Sequence, residues 1–335
     1  MGSYGEAAPF VTVGVTCYNQ ARFVVEALES VKAQAYPNVH LVVVDDCSKD
    51  DSVEVIRRWL NTHWPAAVFV VHEMNMGVCR SVNDVLANVR GKYIRLLAAD
   101  DRWMPNTLTS QVEIMEAAPE DVGVLYSDAF QIDEAGELLP KMFIETYRSF
   151  AEMPEGWIFD ILIEGNFLLD ALIRIRCFDT VGSFDEGLVF EDWDMWLRIS
   201  RQFKFKYFKE PTAYYRLVQT SMSRVLRTEM VDFSLRIVVN CLRRGWLAGE
   251  QKHRALAFEF FQACQAYRQG LPNRVREAAW TFRNRICIKH FLLLLFVLLD
   301  VPYRRFEQLF RIPSSVDQLA NLFPAKNEMN REHVD

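Results

Sequence analysis

Residues 39–52 read VHLVVVDDCSKDDS, an apolar run that passes directly into a polar and acidic segment. The β-branched residues over 39–45 are typical of a strand that is buried on both faces. Aspartate and serine at 50–52 are residue types that cap the N-termini of helices, so we expect a helix that continues through Trp59. This stretch therefore predicts a strand, a polar loop and a helix in direct succession.

The same succession repeats on both sides of this stretch. Strands separated by helices form parallel βαβ units, so the repetition predicts an α/β fold with a Rossmann-like, mostly parallel sheet flanked by helices. We expect strands over 11–16, 39–45, 67–72, 93–97 and 122–127, and helices over 23–34, 50–59, 77–88 and 105–117.

A pattern of helices without strands begins near residue 225. We therefore expect an α/β domain over 1–224 and an all-helical C-terminal region over 225–335. The second region contains FLLLLFVLL at 291–299, and these nine residues fall short of the ~20 that span a bilayer. Basic residues flank the run. We expect it to pack inside the protein, to form a homo-oligomer interface, or to attach peripherally to the cytoplasmic face of a membrane.

Composition narrows the classes of function. The formal net charge of −6 argues against a nucleic-acid-binding protein, because such domains are normally basic. The seven cysteines include no C-x-x-C pair, which argues against a zinc site or a disulfide framework and favours a reducing compartment. The first residues lack the pattern of a secretory signal, so we expect a cytoplasmic location.

Several well-known site motifs are missing from the sequence. Neither G-x-G-x-x-G nor G-x-x-x-x-G-K-[ST] occurs, which argues against dehydrogenases and P-loop enzymes. G-x-S-x-G is missing as well, which argues against an α/β-hydrolase.

Polar side chains follow three of the predicted strands, at 16–19, 45–48 and 98–101. The carboxyl ends of parallel strands meet at one edge of the sheet, where such folds bind ligands. The carboxylate pair at 45–46 is suited to the imide N–H of a pyrimidine, and the pair at 100–101 to a divalent metal against a diphosphate. Each pair also has a simpler interpretation, as a turn or a helix cap.

Acidic residues also open a predicted helix over 193–198. Acids near a helix N-terminus are stabilised by the helix dipole, so simple capping explains Asp192. The other interpretation is a general base at the mouth of a site. Taken alone, this segment favours capping.

A longer series of residues follows one fixed order along residues 9–223. The series consists of the strand that leads into Tyr18 and Asn19, then Glu26, Ser30, Gln34, Tyr36, Pro37, residues 42–50, Asn75, Gly77, Asn83, residues 91–94, Asp100, Asp101, residues 184–186, Glu191 and Asp192. This order resembles that of the family 2 glycosyltransferases, which have the GT-A fold.

The resemblance implies a role for individual residues. Asp192 matches the catalytic base, which takes the proton from an acceptor hydroxyl as that oxygen attacks the anomeric carbon with inversion. Asp100 matches the last carboxylate of the family's Asp-x-Asp and would bind Mg²⁺ or Mn²⁺. The residues expected to bind the donor are Thr16, Tyr18, Asp45, Arg80 and Asp100.

The sequence departs from the family pattern at four positions. Ala98 replaces the first acid of Asp-x-Asp, and Cys47 stands where glycine is usual. Val82 occupies the position of a common arginine, for which Arg80 would substitute in a shifted register. The histidine often found after Arg216 is missing, so metal binding is the implied property that these departures affect most.

The resemblance thus implies an inverting, metal-assisted glycosyltransferase of cell-envelope polysaccharide biosynthesis. Its donor would be a nucleotide-sugar, with a UDP-sugar as first candidate, and its acceptor a glycan or a lipid-linked glycan. Ala98 motivates an alternative, a catalytically inactive GT-A module that binds a nucleotide-sugar. A nucleotidyltransferase is disfavoured because residues 16–22 contain no glycine.

Overall fold

The computed structural model describes residues 8–188, 190, 192–218, 236–249, 251–252, 264 and 268. The chain divides into two compact units, Met1–Val225 and Leu226–Asp335, and the following description concerns the first of them. The run at 291–299 and most of the predicted helical region lie outside the described residues, so their roles stay predictions.

The first half of this unit is a series of parallel βα units, as the apolar periodicity predicts. Strand β1 lies at the centre, with β2 and β4 parallel to it on either side and β3 outside β2. The strands are β1 (Val11–Cys17), β2 (Val39–Asp45), β3 (Val68–Val71) and β4 (Tyr93–Ala98), and the helices between them are α1 (Val24–Lys32), α2 (Ser52–His63) and α3 (Val78–Ala87).

The second half adds strands that the sequence analysis does not assign, and it makes the sheet mixed. Its elements are β5 (Arg102–Trp103), α4 (Thr107–Ala117), β6 (Val122–Ile132), β7 (Leu138–Met142), α5 (Phe143–Tyr147), α6 (Phe159–Leu162), β8 (Asp170–Arg174), α7 (Arg176–Val181), α8 (Asp192–Ser200) and β9 (Lys204–Arg216). Strand β8 runs antiparallel to both β4 and β6, while β9 runs parallel to β6.

Among the described residues, nine strands form one sheet in the order β3-β2-β1-β4-β8-β6-β9-β5, with β7 paired to β6. The expected α/β class, a sheet flanked by helices, is confirmed. Close packing of α3 on the sheet explains the glycine inside β1. A Cβ on Gly14 would lie 2.5 Å from Cγ1 of Val85 and 2.8 Å from Cδ2 of Leu96.

A buried ion pair joins the parallel half of the sheet to the antiparallel half. Nε of Arg95 on β4 donates to Oδ1 of Asp170 on β8 at 2.8 Å, and both side chains are almost completely buried. The guanidinium also lies 3.8 Å from the ring centroid of Trp103. The hydroxyl of Thr212 donates to the same carboxylate from β9, so one buried charge pair connects three strands.

Helix α1 and the residues directly after it carry several positions of the family order, and two of these side chains hold the segment after β4. The side-chain carbonyl of Gln34 accepts hydrogen bonds from the backbone N–H groups of Thr107 and Leu108, at the start of α4. The hydroxyl of Ser30 accepts one from the N–H of Trp103.

Across the described part of the chain, no helix is both long enough and apolar enough to cross a membrane.

Candidate active site

The ends of the central parallel strands bring the predicted loops together at one edge of the sheet. Cys17 is paired with Asp45 across β1 and β2, and Thr16 is paired with Ala98 across β1 and β4. The N–H of Ala99 donates to the carbonyl of Thr16 at 2.9 Å, which continues this pairing into the next loop. Thr16 is half-buried here, whereas Tyr18 is 44% exposed at the rim.

The loop after β2 is closed by its own aspartate. The buried carboxylate of Asp45 accepts hydrogen bonds from the backbone N–H and the hydroxyl of Ser48, at 2.8 and 2.7 Å. Cys47 lies between them with a φ of +63°, in the left-handed region that glycine adopts most easily. This backbone conformation gives the physical reason for the glycine that is usual at this position.

The second aspartate of the loop holds the segment that leads into α3. The carboxylate of Asp46 accepts the backbone N–H groups of Met76 and Gly77, at 2.7 and 2.8 Å. It also contacts Nδ1 of His72 at 2.7 Å, while Nε2 of the same ring contacts Asp84 on α3 at 2.7 Å. His72 thus bridges two carboxylates beside the loop of Asp45.

Burial alone would lower the pKa of His72, but hydrogen bonds to Asp46 and Asp84 and the charges of these residues outweigh it and raise the pKa. A histidine whose pKa is raised by folding stabilises the protein below the unfolded pKa of about 6.5. That contribution is lost as the pH rises through the higher, folded pKa.

A His72→Gln variant is therefore expected to be less stable than wild type by about 1.5–3 kcal/mol at pH 6, the scale of hydrogen bonds to charged groups. The difference should shrink as the pH rises above the folded pKa of His72. Urea unfolding of both proteins from pH 6 to pH 9 measures it. A difference that stays constant over this range would contradict the charged bridge.

The loop after β4 carries two carboxylates, of which Asp100 is partly exposed and Asp101 is buried in a hydrogen bond within the protein. Asp101 is buried, and its Oδ1 accepts the backbone N–H of Arg216 at 2.7 Å. Burial, and then the charge of Asp100, raise the pKa of Asp101 well above its ordinary value. Asp100 is half-buried, its pKa is raised by burial, and Nε2 of Gln20 lies 3.4 Å from its Oδ2. Ala98 is exposed and offers no ligand atom on its side chain.

These residues fit a divalent cation only together with oxygens from a bound diphosphate. Among the residues that the structure describes, no three His, Cys, Asp or Glu side chains gather into a metal-binding group. Asp101 is buried and already accepts a hydrogen bond from the backbone of Arg216. Asp100 is therefore the carboxylate of this loop that remains for a cation. One carboxylate plus substrate phosphates is a common way to hold Mg²⁺.

Arg80 lies in the first turn of α3 and contacts acidic neighbours. Its Nε lies 3.2 Å from Oδ2 of Asp84, and its Nη1 lies 3.6 Å from Oε1 of Glu186. The guanidinium is thus engaged between α3 and the segment of Glu186. Its expected contact with the donor stays a prediction.

Two positions of the family order, 101 residues apart, prove to be direct partners. The side-chain amide of Asn83 on α3 donates to the carbonyl of Phe184 at 3.0 Å and accepts the N–H of Phe184 at 2.9 Å. It also donates to Glu186 at 2.9 Å. Helix α3 therefore positions the segment that precedes Asp192.

Asp192 is the first residue of α8 and is half-buried. Its Oδ1 accepts the backbone N–H of Trp193 and its Oδ2 accepts Nδ2 of Asn166, both at 2.6 Å. Burial raises the pKa of this carboxyl to about 6, although the two hydrogen bonds oppose the rise. The neighbouring Glu191 lies outside the described residues.

Two residues of this region, His72 and Asn166, were missed by sequence reasoning. His72 directly follows β3, so the rule that ligands bind beyond parallel strand ends was the available signal. Asn166 follows Gly165 in a segment with no regular periodicity, and that pair of residues indicates nothing beyond a turn.

Comparison with known proteins relates part of the chain to one family. Residues 12–172 match the family described as Glycosyl transferase family 2. An uncharacterized protein of Sinorhizobium fredii is 33% identical over 198 residues, which are 57% of this chain and 20% of that protein. An uncharacterized glycosyltransferase of Methanocaldococcus jannaschii is 27% identical over 67% of this chain and 77% of its own length. The chain thus spans only a small part of the first relative.

Solved structures share the fold. A mannosyltransferase from Pyrobaculum calidifontis, in complex with GDP-Man and Mn²⁺, superposes with a TM-score of 0.55 at 17% identity, over 94% of this chain and 87% of that one. Residues 1–349 of S. aureus TarS, in complex with UDP-GlcNAc, give 0.56 at 18% identity, over 92% and 83%. The chain thus contains a glycosyl transferase family 2 domain, matched over residues 12–172, and the fold of these solved structures.

Proposed function

We propose that this chain is an inverting glycosyltransferase that moves a sugar from a nucleotide-sugar to a hydroxyl of a glycan or lipid-linked glycan. The observation that carries the proposal is the carboxylate of Asp192, which is held at the start of α8 with a pKa of about 6. Such a group is ionised at neutral pH, and it is more basic than an ordinary aspartate.

In the proposed reaction the acceptor oxygen attacks the anomeric carbon from the face opposite the diphosphate. The new carbon–oxygen bond forms as the bond to the diphosphate oxygen breaks, and the nucleoside diphosphate leaves with the electron pair. The proton of the acceptor hydroxyl passes to the carboxylate of Asp192. A single displacement of this kind inverts the anomeric configuration.

We assign the donor to the edge formed by the ends of β1, β2 and β4. Thr16, Tyr18 and Asp45 would contact the base and ribose, with Arg80 on the side of α3. The two similar structures hold different nucleotides, GDP in one and UDP in the other. A UDP-sugar is our first candidate for this chain.

A panel of UDP-, dTDP- and GDP-sugars tests the proposal, with donor hydrolysis, transfer to a mixed glycan acceptor and thermal shift as readouts. Turnover of one donor supports a transferase. Binding of a donor with no turnover in any assay would support the alternative, an inactive module that binds nucleotide-sugars.

Asp100 is our candidate for the protein ligand of Mg²⁺ or Mn²⁺. A bound cation supplies positive charge that stabilises the leaving diphosphate. Asp101 keeps its structural contact with Arg216, so the loop would hold its shape with or without a cation.

Removal of divalent cations with EDTA is expected to weaken donor binding by about tenfold or more, or about 1.4 kcal/mol. Asp100→Ala should bind the donor as weakly as the EDTA-treated wild type, and EDTA should have no further effect on it. Isothermal titration calorimetry with and without Mn²⁺ measures both. A wild-type affinity that is indifferent to EDTA would favour metal-free donor binding.

A further inference from the structure

We propose that Asn166 is a positioning residue, which holds the carboxylate of Asp192 in one orientation and in its ionised form. The proposal rests on the proposed role of Asp192 as the general base. It assigns a task to the segment between α6 and β8, for which the sequence offers no motif.

The contacts of the carboxylate define the orientation. Nδ2 of Asn166 donates to Oδ2 of Asp192 from one side, and the N–H of Trp193 donates to Oδ1 from the other, each at 2.6 Å. Rotation of the carboxylate would break both hydrogen bonds. Each oxygen has two lone pairs, so the group can still accept the proton of a substrate. Donors of this kind favour the ionised form over the neutral acid.

Asn166 is itself fixed, and its neighbours determine which way its amide faces. Its Oδ1 accepts the N–H of Leu168 at 3.0 Å. Because a backbone N–H can only donate, the oxygen must face Leu168, and the NH₂ group is therefore directed to Asp192. The preceding Gly165 has a φ of +146°, a backbone conformation that other residues rarely adopt.

The surrounding segment is attached on two sides. The indole N–H of Trp193 donates to the carbonyl of Leu162 at 2.7 Å, which joins α8 to the end of α6. On the other side, Arg148 forms an ion pair with Glu164 at 3.5 Å. The buried indole hydrogen bond keeps Asn166 close to the base, whereas the long, partly exposed ion pair contributes little.

The charge of Asp192 also acts on a tyrosine. Burial raises the pKa of the Tyr147 phenol, and the charge of Asp192 raises it further, so Tyr147 lies within electrostatic reach of the base. Among the described residues, Asn166 and the N–H of Trp193 thus donate hydrogen bonds to the carboxylate, and Tyr147 is the titratable neighbour that its charge affects. Asn166 is the one of these that donates a side-chain hydrogen bond to Asp192.

The test uses two substitutions of Asn166 and one control. Asn166→Asp keeps an oxygen for the N–H of Leu168 but replaces the donor to Asp192 with a second carboxylate. Asn166→Ser is smaller and removes the amide without adding charge. Glu164→Gln breaks the nearby ion pair with Arg148 and leaves the contacts of Asp192 intact.

For both Asn166 variants we expect the acidic limb of the kcat–pH profile to move to higher pH, by about one unit or more for Asn166→Asp. For a rise of one unit, activity should fall about fivefold at pH 6 and recover at higher pH, whereas Glu164→Gln should keep the wild-type profile. The carboxyl pKa of Asp192, read by ¹³C NMR with Asp192→Asn to assign the signal, should rise in parallel.

A purely structural role for Asn166 would lower kcat at every pH and leave the acidic limb in place, and that result would overturn the proposal. An unchanged carboxyl pKa in both Asn166 variants would overturn it as well. If the carboxyl pKa moves but the acidic limb does not, Asp192 is not the base, and the proposed function fails together with this inference.

Discussion

An Asp192→Asn variant is expected to lose at least about a hundredfold in kcat, which is typical for removal of a general base. The donor affinity should stay near the wild-type value, because the loops that we propose for the donor lie at the ends of β1, β2 and β4. The side-chain amide cannot take up the acceptor proton. If the oxygen of the new amide still accepts the N–H of Trp193, its NH₂ group faces the NH₂ group of Asn166. Two hydrogen-bond donors then meet, so the hydrogen bond to Asn166 is lost too.

The matched control is Asp160→Asn, which neutralises an exposed aspartate on α6 and should leave kcat unchanged. In the wild type, kcat should rise with pH through about 6, because the base acts in its ionised form. Initial rates at saturating donor measure both effects. Near-normal transfer by Asp192→Asn would show that Asp192 is not the general base.

An Asp170→Ala variant is expected to lower the free energy of unfolding by about 3–5 kcal/mol, the cost of leaving a buried charge without its partner. The guanidinium of Arg95 has 0% side-chain exposure, so water cannot replace the lost carboxylate. Strands β4, β8 and β9 all contact this pair. Equilibrium unfolding in urea measures the change.

Two further variants make the cause testable. Replacement of both partners, Arg95→Met with Asp170→Leu, should be less destabilising than Asp170→Ala alone, because no unpaired charge remains. Glu120→Ala, which removes a solvent-exposed ion pair with Arg176, should change stability little. A double variant that is less stable than Asp170→Ala would show that the pair contributes more than charge compensation.

The first half of the fold could be predicted because its signals are local. Strand β2 is defined by its own β-branched run and helix α2 by its own apolar spacing, and β2 begins and ends where the sequence predicts. Strand β8 has no such signal, because Asp170 and Arg174 are its two end residues and leave an apolar run of only three residues between them. Both charges are satisfied by residues far along the chain, Arg95 and the hydroxyl of Tyr93.

The candidate site divides in the same way. Asp45 is the last residue of β2, Asp100 lies two residues beyond β4 and Asp192 opens a helix, so their positions could be predicted from neighbouring residues. His72 and Asn166 each contact an aspartate that is 26 residues away in the sequence. Only the tertiary fold brings these pairs into contact. The orientation of Arg80 toward Asp84 and Glu186 likewise depends on how α3 meets the segment 184–188.

The hydrogen bonds of Asn83 have a consequence for protein engineering. Helix α3 starts at the loop that Asp46 holds, and its side chains bind the segment before the base through Asn83 and through Cys79, whose thiol donates to the carbonyl of Leu188. A chimera that takes residues 72–84 from a relative without the matching 184–188 segment would separate these partners. Residues 72–84 and 184–188 should therefore be exchanged as one module when donor specificity is transplanted between relatives.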